Sequence, residues 1–357
     1  MRQSRVRHAY ERRSGCLWWP FTPFLVLLLS VLTVQFASAA NGQVLKAVKD
    51  RGMLNCGVSE GLYGFSARDN NGVWSGFDVD LCRAIAAAIF NDTSKVTYIP
   101  LDANRRFEAL QSGSIDVLSR NTTWTMSREI ELGLNFAATN FYDGQGFLIR
   151  RAMNKETALD LEGAKVCVQT GTTTELNLAD YFRANKMNYE VIASTTLENA
   201  IKGYDSGQCT VLTADGSALF AVRLVLSKPD EHVILPDVIS KEPLGPVVRQ
   251  DDMQWFNIVK WVHFAMVNAE ELGVTSKNIE EALKSENPDI RRLVGTEGNY
   301  GERMGLTKNW AASVVRLVGN YGEVYERTVG VGSALGIPRG INQLWNKGGI
   351  LYAPPIR

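Results

Sequence analysis

Two charged residues, Arg128 and Asp215, are the strongest candidates for binding chemistry in this sequence. The guanidinium of an arginine matches a carboxylate in a two-pronged fork that a lysine cannot reproduce. Thr123 lies five residues before Arg128, and both follow the end of a predicted strand, so a hydroxyl and a guanidinium could converge on one anion. The alternative is that Arg128 is a surface arginine at the start of a helix.

Asp215 ends a largely apolar predicted strand, CTVLTAD (209–215), and is followed by Gly216. A carboxylate at this position could pair with an ammonium group. Aspartate is also a common N-cap residue, so its alternative role is to cap the helix that is predicted to start near Ser217.

The segment TGTTTE (170–175) precedes a predicted helix, where hydroxyls and backbone N–H groups can together bind an anion. Thr172 or Thr173 with Glu175 could instead form only a capping box. With Arg128 and Asp215, these groups supply a planar cation, a carboxylate and several hydroxyls and amides. That set is complementary to a free amino acid.

Arg120 is a further cation at the end of a predicted strand beside this candidate site. It could contact an acidic or amide side chain of a ligand, or pair with Asp116 or Asp102 within the protein. Four aromatic residues could wall the site but are as well explained as core: Tyr63, Phe65, Trp74 and Trp124.

The sequence before Asn121 is repeated before Asp215. FEALQSGSIDVLS (107–119) and IKGYDSGQCTVLTAD (201–215) align on their Ser-Gly pairs, and the alignment superimposes Asn121 on Asp215. Two similar units therefore each end a strand with a short polar residue. Open α/β sheets present their ligand-binding groups at such strand ends.

Apolar periodicity predicts the order β-α-β-α-β between residues 53 and 119 and again from 165, with a further helix to 226. Asp78 is expected to cap the helix at 76–90. Two crossover segments, 141–151 and 241–252, connect the units, and helical sequence fills most of 253–357. The order indicates an α/β fold built from mostly parallel sheets with helices on their faces.

We therefore expect two lobes with a ligand cleft and a hinge between them, because lobes joined by such crossovers can close on a ligand. The predicted bounds are 40–145 for the first part of lobe 1 and 146–243 for lobe 2. Residues 244–357 are expected to return to lobe 1 and to add a C-terminal extension.

The first 39 residues are typical of a secretory signal peptide. Five arginines precede a mostly apolar run at 17–36, and Ala37-Ser38-Ala39 predicts cleavage before Ala40. A retained single-pass membrane anchor is the alternative. Removal of these residues leaves 33 basic and 37 acidic residues, a net charge of −4. This balance argues against a nucleic acid or a membrane surface as partner.

Four cysteines follow residue 39, and an even number in an exported chain indicates disulfide bonds. We expect the pairs Cys56–Cys82 and Cys167–Cys209, one per lobe, each stabilising the fold by about 3.5–4 kcal/mol through loss of unfolded-chain entropy. Four buried thiols are the alternative. The cysteine spacings are wrong for zinc, and only two histidines follow residue 39, so we expect no metal.

The familiar enzyme motifs are absent from the sequence: a P-loop, GxGxxG after a strand, GxSxG and HExxH. Two scattered histidines suggest no catalytic triad. We therefore expect a binding protein without a cofactor rather than an enzyme.

Residues 44–270 resemble the periplasmic solute-binding proteins of ABC importers for polar amino acids. The resemblance lies in GFDVDL (76–81), the Ser-Gly-x-Ile-Asp turn (112–116), the T-x-T-x-x-R pattern that ends at Arg128, and CTVLTAD. RNTTWT, NFYDGQGF, the stretch at 288–301 and the ending APPIR are most similar to the longer general L-amino-acid subfamily.

The resemblance implies a type II periplasmic-binding-protein fold and a ligand held by its α-carboxylate and α-ammonium. Arg128 would bind the carboxylate with Thr123 and the Thr173 backbone amide. Asp215, Thr123 and the Asn121 carbonyl would bind the ammonium.

The sequence departs from relatives that bind cationic side chains. Ser59 replaces an acidic residue, and Leu62 and Ala103 replace stacking aromatics. These departures, with Arg120, favour a broad or acidic- and amide-preferring site.

By the same resemblance the chain is expected to be a periplasmic monomer that delivers L-amino acids to a membrane permease. Two alternatives use the same fold. One is a periplasmic enzyme similar to cyclohexadienyl dehydratase, which would need a general acid over the ligand side chain. The other is a ligand-sensing binding protein that signals through a receptor.

Overall fold

The computed structural model describes residues 42–357, and the predicted signal peptide with its cleavage site lies outside this range. Thirteen α-helices lie within it: α1 (Gln43–Arg51), α2 (Phe77–Phe90), α3 (Arg106–Gln111), α4 (Met126–Ile130), α5 (Thr173–Ala184), α6 (Leu197–Asp205), α7 (Gly216–Val225), α8 (Met253–Glu271), α9 (Ile279–Ala282), α10 (Pro288–Val294), α11 (Tyr300–Arg303), α12 (Trp310–Leu317) and α13 (Tyr321–Thr328). In the same range no helix is long and apolar enough to span a bilayer.

Fourteen strands lie in the described range: β1 (Leu54–Ser59), β2 (Ala67–Arg68), β3 (Trp74–Ser75), β4 (Val96–Leu101), β5 (Val117–Leu118), β6 (Leu134–Phe136), β7 (Phe141–Asp143), β8 (Gln145–Arg150), β9 (Ala164–Gln169), β10 (Tyr189–Ser194), β11 (Val211–Asp215), β12 (His232–Ile234), β13 (Glu242–Leu244) and β14 (Val247–Arg249).

The strands form two five-stranded sheets of the same design. The first has the order β4-β1-β5-β14-β6, and the second has the order β10-β9-β11-β8-β12. In each sheet three parallel strands are followed by one reversed strand, β14 or β8, and by a fifth strand antiparallel to it. The two-lobed α/β fold expected from the sequence is confirmed. The exact bounds of the lobes remain a prediction.

The crossovers are two short strands that pair with each other. β7 and β13 run antiparallel, with Tyr142 opposite Pro243, and form a ribbon separate from both sheets. The single strand predicted over 141–151 is divided at Gly144, where a Cβ atom would lie 2.2 Å from a methyl carbon of Val238. The chain must pass Val238 closely there, so β7 ends and β8 begins in the second sheet.

The residues that build the core follow the predicted periodicities. In α2 nearly every residue from Phe77 to Ile89 is buried, and this helix packs on α8 and α12. A separate apolar cluster fills the second lobe around Phe147 and Phe182. Burying a side chain of this size stabilises the fold by about 1.5–3 kcal/mol.

The C-terminal extension packs against the first lobe. Trp310, Tyr321 and Tyr325 are buried in the large core cluster that also contains α2 and α8. Tyr325 stacks on Phe141 of β7, with ring centroids 5.9 Å apart. The extension therefore reaches the crossover ribbon.

The predicted disulfide pairing is confirmed. Cys56 of β1 is bonded to Cys82 of α2, and Cys167 of β9 is bonded to Cys209, just before β11. Each bond therefore joins elements of a single lobe.

The expectation that Asp78 caps α2 is wrong. The helix begins at Phe77 after Gly76, so Asp78 lies within its first turn. Its buried carboxylate instead accepts a hydrogen bond from the Asn121 N–H at 3.0 Å. Burial raises the pKa of Asp78 to about 7, although the Asn121 hydrogen bond and the charge of Arg120 oppose this rise.

Candidate functional site

A cavity of about 610 Å³ is lined by residues of both lobes. Its walls come mainly from loops and helices that follow the carboxyl ends of parallel strands, where the sequence predicts ligand groups. Seven of the eight predicted ligand-binding residues line it: Ser59, Arg120, Asn121, Thr123, Thr172, Thr173 and Asp215. The eighth, Arg128, is not among the lining residues and lies next to Thr123, to whose carbonyl oxygen its Nη1 donates a hydrogen bond at 2.7 Å.

Three buried arginines of the first lobe lie at or behind this cavity. Arg106 begins α3, Arg120 follows β5, and Arg128 lies in α4. Within residues 42–357 none of them has a carboxylate partner at ion-pair distance. A buried charge is costly unless it is paired, so this cluster is suited to an anionic ligand.

The arginines also perturb one another. Burial lowers the pKa of Arg128 to about 10, and the charges of Glu242 and Asp215 oppose this effect. Burial also lowers the pKa of Arg106 well below its ordinary value, and the positive charges of Arg120 and Arg128 add to the shift. Because burial disfavours these guanidinium charges, a bound anion would stabilise them.

Arg106 was not recognised as a site residue in the sequence. Its side chain is 3 % exposed, and its buried Nε has no hydrogen-bond partner among the described residues. The only sequence signal is its place just after strand β4 and next to Arg105. Arg105 is exposed and forms an ion pair with Asp102 at 2.6 Å. Arg106 is thus buried and its neighbour Arg105 is exposed, and the sequence does not indicate which of the two is buried.

Arg120 does not pair with Asp116 or Asp102, which was one alternative. Asp116 is bonded to Arg51, and Asp102 is bonded to Arg105. The Arg120 Nε donates to the carbonyl oxygen of Leu101 at 2.9 Å, and burial lowers the pKa of the guanidinium.

Asp215 ends β11, and its carboxylate does not cap the following helix. It occupies the N-cap position of α7 but accepts no hydrogen bond there. Asp143 supplies the cap instead, since its Oδ2 accepts from the Ser217 N–H at 3.1 Å. Burial and the negative charges of Asp143 and Glu242 raise the pKa of Asp215 well above its ordinary value. The Asp215 carboxylate lines the cavity, and a bound cation would stabilise its negative charge.

Two of the four threonines of TGTTTE, Thr172 and Thr173, have different roles. Thr172 caps α5, since its hydroxyl oxygen accepts from the Glu175 N–H at 3.3 Å, and the hydroxyl donates to the Gln169 carbonyl at 2.7 Å. The Glu175 carboxylate accepts from the Gly171 N–H at 3.1 Å and not from that of Thr172, so Thr172 is an N-cap without a capping box. Thr173 instead donates its hydroxyl to Glu242 at 2.9 Å and lies 3.3 Å from the hydroxyl of Thr123.

Glu242 is a second buried residue that the sequence did not reveal. It lies in β13 and accepts hydrogen bonds from four side chains, namely those of Thr123, Thr173, Asn177 and Ser240. Its sequence context, KEPLGP, predicts only a crossover. The available signal was an acidic residue between Lys241 and Pro243 in a predicted crossover.

Asn121 and Ser59 stand at strand ends in the first lobe. Asn121 has a φ of 20°, and its buried side-chain Oδ1 has no hydrogen-bond partner in residues 42–357. Ser59 ends β1, and its N–H donates to the hydroxyl of Ser66 at 3.0 Å.

The four aromatic candidates do not line the cavity. Phe65 is buried in the core, Trp74 packs on Tyr98, Trp124 stacks on Phe136, and Tyr63 is about half exposed. Among the residues that the structure describes, the cavity lining contains no aromatic side chain. The polar part of the lining offers charges and hydroxyl groups, and its apolar part is aliphatic.

The fold and the cavity define a two-lobed ligand-binding protein. Residues 54–289 match the bacterial extracellular solute-binding proteins, family 3, and the chain belongs to that family. The resemblance noted in the sequence is thereby confirmed.

Similar proteins of known sequence cover almost the whole chain. The general L-amino acid-binding periplasmic protein AapJ of Rhizobium johnstonii is 55% identical over 323 residues, 90% of this chain and 95% of the relative. The glutamate/glutamine/aspartate/asparagine-binding protein BztA of Rhodobacter capsulatus is 48% identical over 327 residues, 91% of this chain and 97% of the relative.

A solved structure shares the whole fold. It is an ABC transporter / periplasmic binding protein from Brucella ovis with glutathione bound. It is 54% identical, with a TM-score of 0.87, over 89% of this chain and 100% of that chain.

Proposed function

We propose that this protein binds free L-amino acids in the periplasm, with preference for acidic ones, and delivers them to the permease of an ABC importer. One observation carries the ligand class. Arg106, Arg120 and Arg128 are buried around one cavity with Asp215, and none of these charges has an ion-pair partner in the described chain. A dicarboxylic amino acid brings two anions and one cation, which match this set.

Each charged group has a role in the proposed complex. Arg128, with the backbone N–H of Thr173, binds the α-carboxylate, and Asp215, with the Asn121 carbonyl, binds the α-ammonium. Arg106 and Arg120 bind a side-chain carboxylate or amide. Charge-assisted hydrogen bonds of this kind contribute about 1.5–3 kcal/mol each.

Ser59 and the uncharged residues Leu62 and Ala103 fit this preference, because none of them offers a negative charge or a stacking ring to a cationic side chain. Ligands with cationic side chains would also face the repulsion of Arg106 and Arg120. We therefore expect arginine and lysine to bind more weakly than glutamate.

A second candidate ligand is a γ-glutamyl peptide such as glutathione. The Brucella ovis relative has glutathione bound, and a cavity of about 610 Å³ lies within the usual size range for drug-sized ligands. The γ-glutamyl end of such a peptide carries the same α-carboxylate and α-ammonium as a free amino acid. The distal carboxylate of the peptide would replace the side-chain carboxylate of glutamate as the partner of Arg106 and Arg120.

Export and delivery complete the proposal. Residues 1–39 direct the chain to the periplasm and are removed near Ala39 and Ala40, and the mature chain acts as a monomer without catalysis. The periplasmic names of the relatives support this location. The relatives are binding proteins, which supports transport over the dehydratase alternative.

Titration calorimetry of ligand-stripped residues 40–357 tests the function. We expect micromolar or tighter binding of L-glutamate, a free energy of about −8 kcal/mol, and loss of binding in Arg128→Ala and Asp215→Ala. Arginine, alanine and glutathione titrated in parallel rank the ligand classes. Absence of heat for every ligand with a folded wild type would overturn the proposal. Mass spectrometry of the recovered ligand would detect any conversion.

A further inference from the structure

The carboxylate of Glu242 lies where the crossover ribbon meets both lobes. It is 1 % exposed, and no arginine or lysine forms an ion pair with it in residues 42–357. Its Oε2 accepts hydrogen bonds from Thr123 of the first lobe and Thr173 of the second. Its Oε1 accepts from the Asn177 amide at 2.7 Å and from the Ser240 hydroxyl at 2.7 Å.

A count of hydroxyl protons determines what Thr123 and Thr173 can offer to the cavity. Each threonine hydroxyl has one proton to donate and two lone pairs to accept with. Both protons are directed to the same oxygen of Glu242, and the contact between the two hydroxyls is longer, at 3.3 Å. Both residues line the cavity. Toward a ligand, their hydroxyl oxygens can therefore act only as acceptors.

We propose that Glu242 is a positioning residue that fixes the hydroxyls of Thr123 and Thr173 as acceptors and so makes this end of the site selective for a ligand ammonium. The inference rests on the proposed amino-acid function and deepens it. It also changes one expectation from the sequence, since the hydroxyl of Thr123 cannot donate to the α-carboxylate. That carboxylate must rely on Arg128 and backbone N–H groups.

The inference also connects ligand binding to the approach of the lobes. The two acceptors come from different lobes, and they converge only because one carboxylate oxygen receives both protons. An ammonium seated between them would contact Thr123, Thr173 and Asp215 together. Removal of the Glu242 charge should therefore affect ligands with an ammonium more than ligands without one.

The test compares L-glutamate with glutarate, which has both carboxylates but no ammonium. In Glu242→Gln the new amide group donates to a threonine oxygen and frees its proton for the cavity. We expect this variant to bind L-glutamate about tenfold more weakly, the equivalent of one lost hydrogen bond, while glutarate titrated to millimolar concentration binds as well as or better than to wild type. Glu190→Gln, at an exposed ion pair with Lys165, is the matched control and should change neither affinity.

A double-mutant cycle separates positioning from a merely structural role. In a Thr123→Val/Thr173→Val background, adding Glu242→Gln should leave the glutamate-to-glutarate ratio unchanged, because the hydroxyls through which Glu242 acts are gone. An unchanged ratio in folded Glu242→Gln alone, or the same effect in the valine background, would overturn the inference. A wild type that binds no amino acid would instead remove the proposed function on which it rests.

Discussion

At the scale of single residues, the buried charges at the cavity have no ion-pair partners within residues 42–357, whereas the exposed lining residues Glu60, Glu198 and Lys202 are paired. Arg106 is the clearest case, because its neighbour Arg105 has the same chemistry but forms an exposed ion pair with Asp102. Arg105 is therefore a matched control for Arg106. Substitution by glutamine removes a buried charge at Arg106 and an exposed, paired charge at Arg105.

We predict that Arg106→Gln weakens L-glutamate binding about 10- to 100-fold but changes L-alanine binding less than about threefold, because only glutamate offers a second carboxylate. The ligand-free variant should melt at a higher temperature than wild type, since an unpaired buried cation is removed. Calorimetry and thermal unfolding measure both effects, and Arg105→Gln should show neither. Equal losses for both ligands would indicate that Arg106 has only a structural role.

Asp215 predicts a pH dependence of binding. Burial and nearby carboxylates raise the pKa of Asp215, and a bound ammonium would lower that pKa. Binding should therefore release protons and strengthen as the pH rises above the ordinary carboxyl pKa of about 4.

The measurement is calorimetry at several pH values above about 4, each in two buffers of different ionisation enthalpy. Asp215→Asn should abolish most of the proton release. Burial also raises the pKa of Asp143 to about 6 and that of Asp78 to about 7, so any proton exchange that remains in Asp215→Asn reports these two carboxyls. Proton uptake by the wild type would contradict the predicted role.

The local sequence predicted site residues where a polar side chain follows the end of an apolar strand. Asn121 and Asp215 end equivalent segments of an internal repeat, and both line the cavity. Arg106 and Glu242 have no such signal. The burial of Glu242 results from the paired crossovers, which bring it into contact with Thr123, 119 positions away. Sequence spacing alone could not predict that proximity.

At the scale of elements, the predicted strands and helices occur in the expected order, because each lobe repeats apolar strands and amphipathic helices. The break at Gly144 was not predicted, because its cause is a contact with Val238, distant in sequence. A second glycine contact lies between the lobes. Gly171, just before α5, approaches Asn104 of the first lobe, and a Cβ atom on Gly171 would lie 2.1 Å from the Asn104 Oδ1.

We predict that Gly171→Ala weakens ligand binding about two- to threefold, because the added methyl group would force the exposed amide end of the Asn104 side chain to rotate away. Gly171 has a φ of +73°, so backbone strain of about 1–2 kcal/mol adds to the steric effect. Asn104→Ala in the same chain should restore most of the lost affinity but not the stability. Calorimetry measures the affinity and thermal unfolding measures the stability, so together they separate the steric effect from the backbone strain.

Gly163→Ala is the matched control for this prediction. Gly163 has the same φ of +73° but has no atom within 4 Å of its added Cβ. It should lose stability and keep its affinity. If both alanine variants bound ligand equally, the contact with Asn104 would not limit closure.

At the scale of the whole molecule, the C-terminal segment 300–357 lies beyond the family match, which ends at residue 289. It nevertheless contacts the crossover ribbon directly. The Asn342 side chain accepts from the Tyr142 N–H at 2.7 Å and donates to the Tyr142 carbonyl at 2.9 Å. The Tyr321 hydroxyl donates to the Asn140 carbonyl at 2.9 Å. The segment therefore holds β7 on the edge opposite β13.

We predict that Asn342→Ala destabilises the protein by about 2–4 kcal/mol, because it leaves two backbone groups of Tyr142 without partners. It should also weaken ligand binding several-fold, since a loosened β7 must be ordered again when the lobes close. Hydrogen exchange at 140–143 should accelerate.

Asn287→Ala is the control in the same half of the chain. It removes the N-cap of α10, which costs about 1 kcal/mol, at a distance from the ribbon. If Asn342→Ala lost stability without loss of affinity or faster exchange, the extension would support the fold of lobe 1 and not the movement of the hinge.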